Sequence, residues 1–148
     1  MGGQTTEEEP LRMTRQRRVI LEELKGLSTH PTARAIHDRV RRRVPGISLG
    51  TVYRNLEILS GRGTIRTLEL ACPPRRYDSD TEDHYHLCCI RCGRVDDAPI
   101  SPISDLEEAL GEASGYALVG HHVEFKGICP ECRAREHEPH SFPNCKEE

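Results

Sequence analysis

The chain has 148 residues, of which 35% are hydrophobic, a composition that fits one globular domain or two small ones. No apolar segment approaches the roughly 18 residues that a membrane helix needs, which excludes membrane-spanning helices and gives no reason to expect a membrane partner. Glu7, Glu8 and Glu9 stand where a signal peptide would be basic and then apolar, so we expect a cytoplasmic protein.

The net charge of −3 hides an uneven distribution along the chain. Residues 11–70 contain 13 Lys and Arg against 5 Asp and Glu, whereas residues 71–148 contain 8 against 16. Such asymmetry indicates two modules, of which the basic one has the charge of a nucleic-acid-binding domain.

Three amphipathic helices are predicted in the basic half, with Thr14, Thr32 and Ser48 as their N-caps. The second helix ends at Pro45-Gly46, and the third covers residues 49–60. The apolar positions at helical spacing are Val19, Ile20, Leu24 and Leu27 in the first helix, Ile36, Val40 and Val44 in the second, and Val52, Leu56 and Leu59 in the third.

The short turn at residues 44–48 is typical of a helix-turn-helix, whose second helix enters the DNA major groove. The alternating residues 64–70 and the segment 75–78 can pair as a two-stranded wing. The residues placed to contact DNA are Arg15, Arg17, Ser48, Thr51, Tyr53 and Arg54, with Asn55 as a further candidate. The alternative is an ordinary three-helix core with a solvated basic face.

Two Cys-x-x-Cys pairs, separated by 36 residues, dominate the acidic half. Cys89, Cys92, Cys129 and Cys132 have the spacing of a closed tetrahedral zinc site, and in a reducing compartment metal binding is favoured over disulfides. The alternatives are buried structural cysteines or redox dithiols. Three further cysteines have no partner at this spacing: Cys72, Cys88 and Cys145. We expect Cys88 to pack or to point away from the zinc.

A second set of candidate ligands contains histidine and aspartate. His84 and His86 project from one face of a predicted strand and can chelate an ion together. Asp78 precedes them, and Asp97 follows on the next strand. His30 joins this set only if the two modules close on each other, which spacing alone does not decide. An exposed pair of strand histidines is the alternative interpretation.

The rest of the acidic half reads as a small α/β module. Ser104 is predicted to cap a helix over residues 105–114, with Leu106 and Leu110 facing inward. Residues 116–128 then form one long strand or two short ones. Because helix-turn-helix proteins usually act on two-fold sites, we assign dimerisation to this module.

The predicted fold class is α+β, with an N-terminal winged helix-turn-helix DNA-binding domain and a small C-terminal α/β dimerisation domain that carries the four-cysteine zinc site. His121 and His122 are expected to be partly buried strand histidines. The predicted divisions are 1–79 for the winged helix with 1–11 flexible, 80–84 for a hinge, 85–135 for dimerisation and metal binding, and 136–148 for a flexible tail.

Several short motifs together resemble the ferric uptake regulator (Fur) family from about residue 12 to residue 135. They are Thr14-x-Gln16-Arg17, His30-Pro31-Thr32-Ala33, Ser48-x-x-Thr51-Val52-Tyr53-Arg54-x-Leu56, Arg76-Tyr77-Asp78, Asp83-His84-x-His86, Cys89-x-x-Cys92-Gly93 and Cys129-x-x-Cys132. The resemblance implies a dimeric, metal-dependent repressor with a structural zinc site and a regulatory metal site at the hinge.

Carried over by motif, the zinc ligands are Cys89, Cys92, Cys129 and Cys132, and the regulatory ligands are His30, Asp78, His84, His86 and Asp97. Iron-sensing members usually have Glu in place of Asp78 and Asp97, so the two aspartates are similar to the peroxide-sensing repressor (PerR) branch. In that branch peroxide oxidises a ligating histidine, here His30 or His84. The implied cofactors are one structural Zn²⁺ and one regulatory Fe²⁺ or Mn²⁺ per subunit.

The resulting prediction is a repressor, not an enzyme, that binds an AT-rich inverted-repeat operator as a homodimer and has hydrogen peroxide as its signal. An iron-responsive repressor without peroxide chemistry is the alternative within the family. A zinc-stabilised nucleic-acid-binding module without sensing is another. A metal-dependent hydrolase or thiol oxidoreductase is disfavoured, because no nucleophile with an adjacent base appears and the basic half would have no role.

Overall fold

A computed structural model describes residues 10–27, 29–70 and 72–135. The helices in these residues are α1 (Arg15–Lys25), α2 (Ala33–Val40), α3 (Leu49–Gly61), α4 (Leu106–Ser114) and α5 (Pro130–Ala134), and the strands are β1 (Arg66–Leu68), β2 (Arg76–Asp78), β3 (His86–Cys89), β4 (Val95–Asp97) and β5 (Glu124–Gly127). Leu11 packs against the helical core. The other residues predicted to be flexible, except Pro10, lie outside the described residues, as does Cys145.

The three N-terminal helices begin where the sequence predicts. The side-chain oxygens of Thr14, Thr32 and Ser48 each accept a hydrogen bond from the backbone N–H three residues later. The second helix ends at Val40, four residues before the predicted end, because the chain already turns ahead of Pro45. All three predicted caps are therefore confirmed.

The apolar faces of these helices form one core with the start of the wing. Leu56 and Leu59 of α3 are fully buried in it, as are Ile20 and Ile36 of the two preceding helices. The N-terminal module is therefore the winged helix-turn-helix that the sequence predicts, with α3 as its second, recognition helix.

We expect Leu56→Ala to destabilise the folded protein by about 2 to 5 kcal/mol, because it leaves a cavity that the three-helix core cannot close. Ile58→Ala, at a half-buried position of the same helix, is the matched control and should cost less. Urea denaturation followed by circular dichroism measures both values. Equal losses for the two variants would contradict the assigned core.

The wing is anchored to the chain that precedes α2. β1 pairs with β2 in antiparallel fashion, with Arg66 opposite Asp78. The Tyr77 N–H donates to the Pro31 carbonyl, and Thr32 forms an isolated bridge with Arg76. These contacts hold the end of β2 beside the N-terminus of α2, which brings Asp78 close to His30.

The C-terminal module contains a three-stranded sheet in the order β4-β3-β5, in which β3 is antiparallel to β4 and parallel to β5. The register places His86 opposite Asp97. Gly93, at φ +71°, closes the turn between β3 and β4, a backbone conformation that favours glycine. The sheet thus places one imidazole and one carboxylate side by side.

Two expectations for this module are wrong in detail, and one element was not expected. β3 begins at His86, so His84 lies in the segment before the strand. Strand structure covers only residues 124–127, because the preceding residues from 116 have no strand partner among the described residues. The short helix α5 was not predicted, because its five residues are too few for a helical pattern to show.

The position of α4 is close to the prediction, but its environment differs. Asp105, not Ser104, is the N-cap residue, and its side chain makes no capping hydrogen bond. Leu106 and Leu110, expected to face inward, are exposed, because no part of residues 10–27, 29–70 and 72–135 covers the side of the helix that carries them. Within the same residues, no helix combines the length and apolar character needed to cross a membrane.

Candidate metal centres and DNA-binding surface

The fold brings the five predicted His and Asp ligands to one place, although they come from four parts of the chain. The group consists of His30, Asp78, His84, His86 and Asp97, and one ligand atom from each lies within 4.8 Å of all the others. His30 precedes α2 and Asp78 ends β2, so the winged helix contributes two of them. The cluster therefore lies at the junction of the two modules.

Between them, the two carboxylates contact all three imidazoles. His30 Nε2 lies 2.7 Å from Asp97 Oδ1. His84 Nε2 lies 3.0 Å from that oxygen and 3.0 Å from Asp78 Oδ2. His86 Nε2 is 3.5 Å from the same Asp78 oxygen. The ligand atoms thus point toward a shared centre.

Several of these atoms are buried without a hydrogen bond, including Asp78 Oδ2, His84 Nε2 and both ring nitrogens of His86. Their mutual contacts are short but do not have hydrogen-bond geometry. A buried polar atom without a partner is costly, and a cation at the centre would satisfy several at once. The residues therefore fit a bound metal ion.

The electrostatics of the cluster also favour a cation. Burial alone would raise the pKa of Asp78. Contact with His86, the hydrogen bond from the Asp80 N–H and the nearby imidazoles of His30 and His84 outweigh burial, so the pKa lies below its usual value. Burial opposes protonation of His84, yet the Glu82 carbonyl, Asp78 and Asp97 raise its pKa. The cluster thus favours a charged Asp78 carboxylate and a positive charge beside it.

The four cysteines of the two Cys-x-x-Cys pairs form the second group, again with ligand atoms within 4.8 Å of one another. The Cys129 N–H donates to Cys89 Sγ at 3.3 Å, and Cys92 Sγ lies 3.8 Å from Cys129 Sγ. Cys129 is also the N-cap of α5, so its sulfur accepts from the Cys132 N–H. The turn after β3 and the start of α5 together provide four sulfurs for one ion.

Two thiols of this group, those of Cys89 and Cys132, have strongly perturbed pKa values. Burial alone would raise that of Cys89, but N–H groups of Cys129, Cys92 and Arg91 lower it well below the usual value. The pKa of Cys132 is raised, mainly by the neighbouring sulfur of Cys129 and next by burial. Sulfurs this close cannot all ionise without a cation between them, so the donor set fits Zn²⁺.

The remaining described cysteines are joined in a way that the sequence did not predict. A disulfide links Cys72, between β1 and β2, to Cys88 in β3. Cys88 points away from the four-sulfur group, as expected, but toward a partner 16 residues earlier in the chain. Sequence spacing provided no signal for this pair, because the wing and the sheet meet only in the folded protein.

His121 is half-buried, as expected, but neither it nor the exposed His122 lies in a strand. His121 Nε2 is hydrogen-bonded to the Tyr85 hydroxyl, and its Nδ1 is hydrogen-bonded to Glu107 of α4. The Tyr85 hydroxyl also accepts from the Ile103 N–H. These contacts fasten α4 to the segment before β3.

Four of the predicted DNA contacts lie on α3 and its N-cap. Tyr53 and Arg54 are exposed on α3. The Ser48 and Thr51 side chains bond to each other at the start of that helix, with a hydroxyl separation of 2.8 Å. Asn55, the further candidate, is buried and donates to the Thr51 carbonyl, so it does not face a groove.

The two predicted DNA contacts in α1 differ in solvent exposure and in their hydrogen bonds. Arg15 is exposed, whereas Arg17 is half-buried and donates to the Arg12 carbonyl. Arg43 of the Arg-rich turn after α2 forms ion pairs with Glu22 and Glu23, which neutralise part of the basic surface. The predicted contacts Arg15 and Arg54 are thus both exposed, as contact with DNA requires.

The sequence matches the ferric uptake regulator family over residues 8–126. It is also 33% identical over 133 residues to the peroxide operon regulator of Bacillus subtilis (strain 168), in a match that covers 90% of this chain and 92% of that protein. This chain belongs to the ferric uptake regulator family. Proteins of this family are DNA-binding, metal-binding transcriptional regulators that act as dimers.

Solved structures of Fur-family regulators share the fold. The Helicobacter pylori ferric uptake regulator Fur, described as having three functional metal-binding sites, has a TM-score of 0.73 and 26% identity, covering 83% of each chain. The Campylobacter jejuni peroxide stress regulator has a TM-score of 0.67 and 28% identity, covering 79% of this chain and 88% of that one. The predicted family and fold class are confirmed.

Proposed function

We propose that this Fur-family member is a metal-dependent transcriptional repressor that senses hydrogen peroxide. The observation that carries the proposal is the five-ligand cluster of imidazoles and carboxylates at the junction of the two modules. Relatives named as a peroxide operon regulator and as peroxide-responsive repressors support it, at 33% and 32% identity. The proposed partners are double-stranded DNA and a second copy of the chain.

The donor atoms distinguish the two metal sites. The junction cluster has three imidazoles and two short carboxylates, a set without sulfur that suits Fe²⁺ or Mn²⁺. The four-cysteine group suits Zn²⁺ in a closed tetrahedral site. The proposed content is therefore one structural Zn²⁺ and one regulatory Fe²⁺ or Mn²⁺ per subunit.

A metal at the junction would control the relative position of the modules. In this proposal residues 1–79 are the DNA-binding domain, 80–84 the hinge and 85–135 the dimerisation domain. His30 and Asp78 belong to the first and His86 and Asp97 to the third, so a bound ion ties the two domains together. Loss of the ion removes that tie and changes the spacing of the recognition helices in the dimer.

The proposed DNA-binding surface consists of α3, its N-cap Ser48 and two arginines of α1. Tyr53 and Arg54 contact the major groove, where a guanidinium can read guanine and a ring can meet a thymine methyl. Arg15, Arg17, Ser48 and Thr51 contact the backbone phosphates. The exposed apolar side chains Leu106 and Leu110 of α4 contribute to the dimer interface in this proposal.

Peroxide reaches the cluster from the surface. A cavity of about 650 Å³ is lined by His84 and His86, and a second of about 130 Å³ is lined by His30, Asp78 and Asp97. Iron bound there would supply redox chemistry that activates peroxide beside these rings. In the net reaction one peroxide oxygen adds to a carbon of His30 or His84 and the other leaves as water, and the altered ring is a poorer ligand.

A gel shift on an AT-rich inverted repeat tests the proposal at a fixed, stated salt concentration. The metal-free, Fe²⁺ and Mn²⁺ proteins are compared before and after dilute peroxide, and mass spectrometry follows the peptides that contain His30 and His84. We expect both metals to promote binding, and only the Fe²⁺ protein to release DNA as a histidine gains one oxygen. The Mn²⁺ protein is the control for nonspecific oxidation.

An Arg54→Ala variant separates sensing from DNA binding, because it removes a groove contact while leaving every cluster ligand in place. It should lose DNA affinity but show the same histidine oxidation. An Fe²⁺ protein that stays bound and unmodified after peroxide would replace the proposal with the iron-responsive alternative. Binding that does not depend on metal would contradict both.

A further inference from the structure

The Cys72–Cys88 pair lies outside both proposed metal sites and has no role in the proposed iron-dependent response. We propose that these two cysteines are a second oxidation site, a reversible disulfide that covalently fastens the wing to the sheet. The thiol pair needs no iron, so it goes beyond the proposed function. It gives peroxide a second target at the same junction, with the opposite effect, because the disulfide holds closed what loss of the regulatory metal would open.

The two cysteines belong to different modules. Cys72 lies in the connection between β1 and β2, whereas Cys88 lies in β3, between His86 and Cys89. Their Cα atoms are 6.5 Å apart, within the range over which a disulfide forms without backbone movement. A bond here therefore joins the winged helix directly to the strand that carries ligands of both proposed metal sites.

The difference in exposure sets the order of the chemistry. Cys72 is half-buried, whereas Cys88 is only 1% exposed. Hydrogen peroxide thus meets the Cys72 sulfur first, which takes one oxygen as a sulfenic acid while the other oxygen leaves as water. The Cys88 sulfur then displaces the added oxygen as a second water molecule. Two thiols and one peroxide give one disulfide and two water molecules.

Noncovalent contacts already hold the wing against the sheet at this point. The Arg76 guanidinium donates to the carbonyl oxygens of His30 and Gly93, so it bridges the approach to α2 and the turn after β3. The His30 N–H also donates to the Val95 carbonyl. These contacts position Cys72 against Cys88, and the disulfide makes the same docking covalent.

The expected consequence is a junction that stays closed when the regulatory metal is lost. In the reduced protein, removal of that metal leaves buried atoms of Asp78, His84 and His86 without a partner, which favours opening at residues 80–84. In the oxidised protein, the bond between Cys72 and Cys88 prevents the wing from leaving β3.

The test uses the full-length zinc-loaded protein with its regulatory site emptied by a mild chelator, either reduced or treated with hydrogen peroxide. Intact mass and a nonreducing peptide map identify the cross-link, and hydrogen exchange of peptides over residues 79–84 reports hinge opening. We expect a loss of two hydrogens, a linked Cys72 and Cys88 peptide, and hinge exchange at least several-fold slower in the oxidised protein.

Cys72→Ser is the test variant, because Cys72 is half-buried and its replacement should not disturb the fold. Cys145→Ser is the matched control, since it removes a cysteine that belongs neither to this pair nor to the proposed zinc ligands. The control should behave as the parent protein, whereas the test variant should lose both the cross-link and the oxidation-dependent slowing of exchange.

Three results would overturn the inference. One is the absence of a peptide linking Cys72 to Cys88 after oxidation. Another is a metal ion held in the reduced protein by these sulfurs with Glu124, which has a carboxylate near them, and lost in Cys72→Ser. The last is a cross-link that leaves hinge exchange unchanged. All three are independent of histidine oxidation and of DNA binding.

Discussion

Cys89→Ser is expected to abolish binding of the structural zinc ion and to unfold most of the C-terminal module. The Cys89 sulfur is buried and accepts the Cys129 N–H, so it joins the turn after β3 to the start of α5. A hydroxyl is a poor replacement for a thiolate ligand of zinc. Structural zinc binding contributes on the order of 10 kcal/mol to the folding of small domains. The variant should therefore lose more free energy of unfolding than the removal of any single apolar side chain would cost.

Metal analysis and thermal unfolding measure this effect. The unsubstituted protein should contain one zinc ion per subunit, whereas the variant should contain almost none and should lose the cooperative transition of residues 85–135. Cys145→Ser, which removes a cysteine outside the proposed zinc ligands, should keep both. A variant that retains stoichiometric zinc and an unchanged melting temperature would show that Cys89 is not a ligand.

Asp78→Asn is expected to remove metal-dependent DNA binding with little effect on the metal-free fold. The Asp78 side chain is 4% exposed, and its Oδ2 atom lies near both His84 and His86. Asparagine has nearly the same shape but removes the negative charge that Fe²⁺ or Mn²⁺ requires. Changing a residue that only orients a metal ligand already lowers metal affinity by about 10- to 100-fold. Replacing a direct ligand such as Asp78 should therefore lower it by about 100-fold or more.

Titration with Mn²⁺, followed by thermal unfolding, tests this expectation without peroxide chemistry. Mn²⁺ should raise the melting temperature of the unsubstituted protein through preferential binding to the folded state, and should not do so for the variant. Asp96→Asn is the matched control, because that carboxylate lies in β4 outside the cluster and pairs with Arg94 instead. Equal Mn²⁺ stabilisation of both variants would show that Asp78 is not a ligand of the proposed site.

The sequence-based predictions succeeded where a pattern is local. The caps at Thr14, Thr32 and Ser48 each satisfy N–H groups only three residues away, so the residue types alone predict them. The two Cys-x-x-Cys pairs likewise predict a four-sulfur group, because two-residue spacing turns both sulfurs toward one point. The helix-turn-helix follows from the same kind of short-range signal.

The predictions failed where burial depends on distant elements. Leu106 and Leu110 have the spacing of an inward-facing stripe, yet they are exposed because no described element covers that side of α4. A hydrophobic period shows which face of a helix is apolar, but it does not show what covers that face. The same limit applies to His121, whose partners Tyr85 and Glu107 are distant in the sequence.

The sequence by itself determined the family, the recognition helix and the two sets of candidate ligands, because these depend on residue type and short spacing. Only the tertiary structure decided that His30 meets Asp97, 67 residues away, and that Cys72 meets Cys88. Both contacts require the wing and α2 to dock on the β3–β4 sheet. That docking depends on the packing of whole modules, which short sequence patterns do not encode.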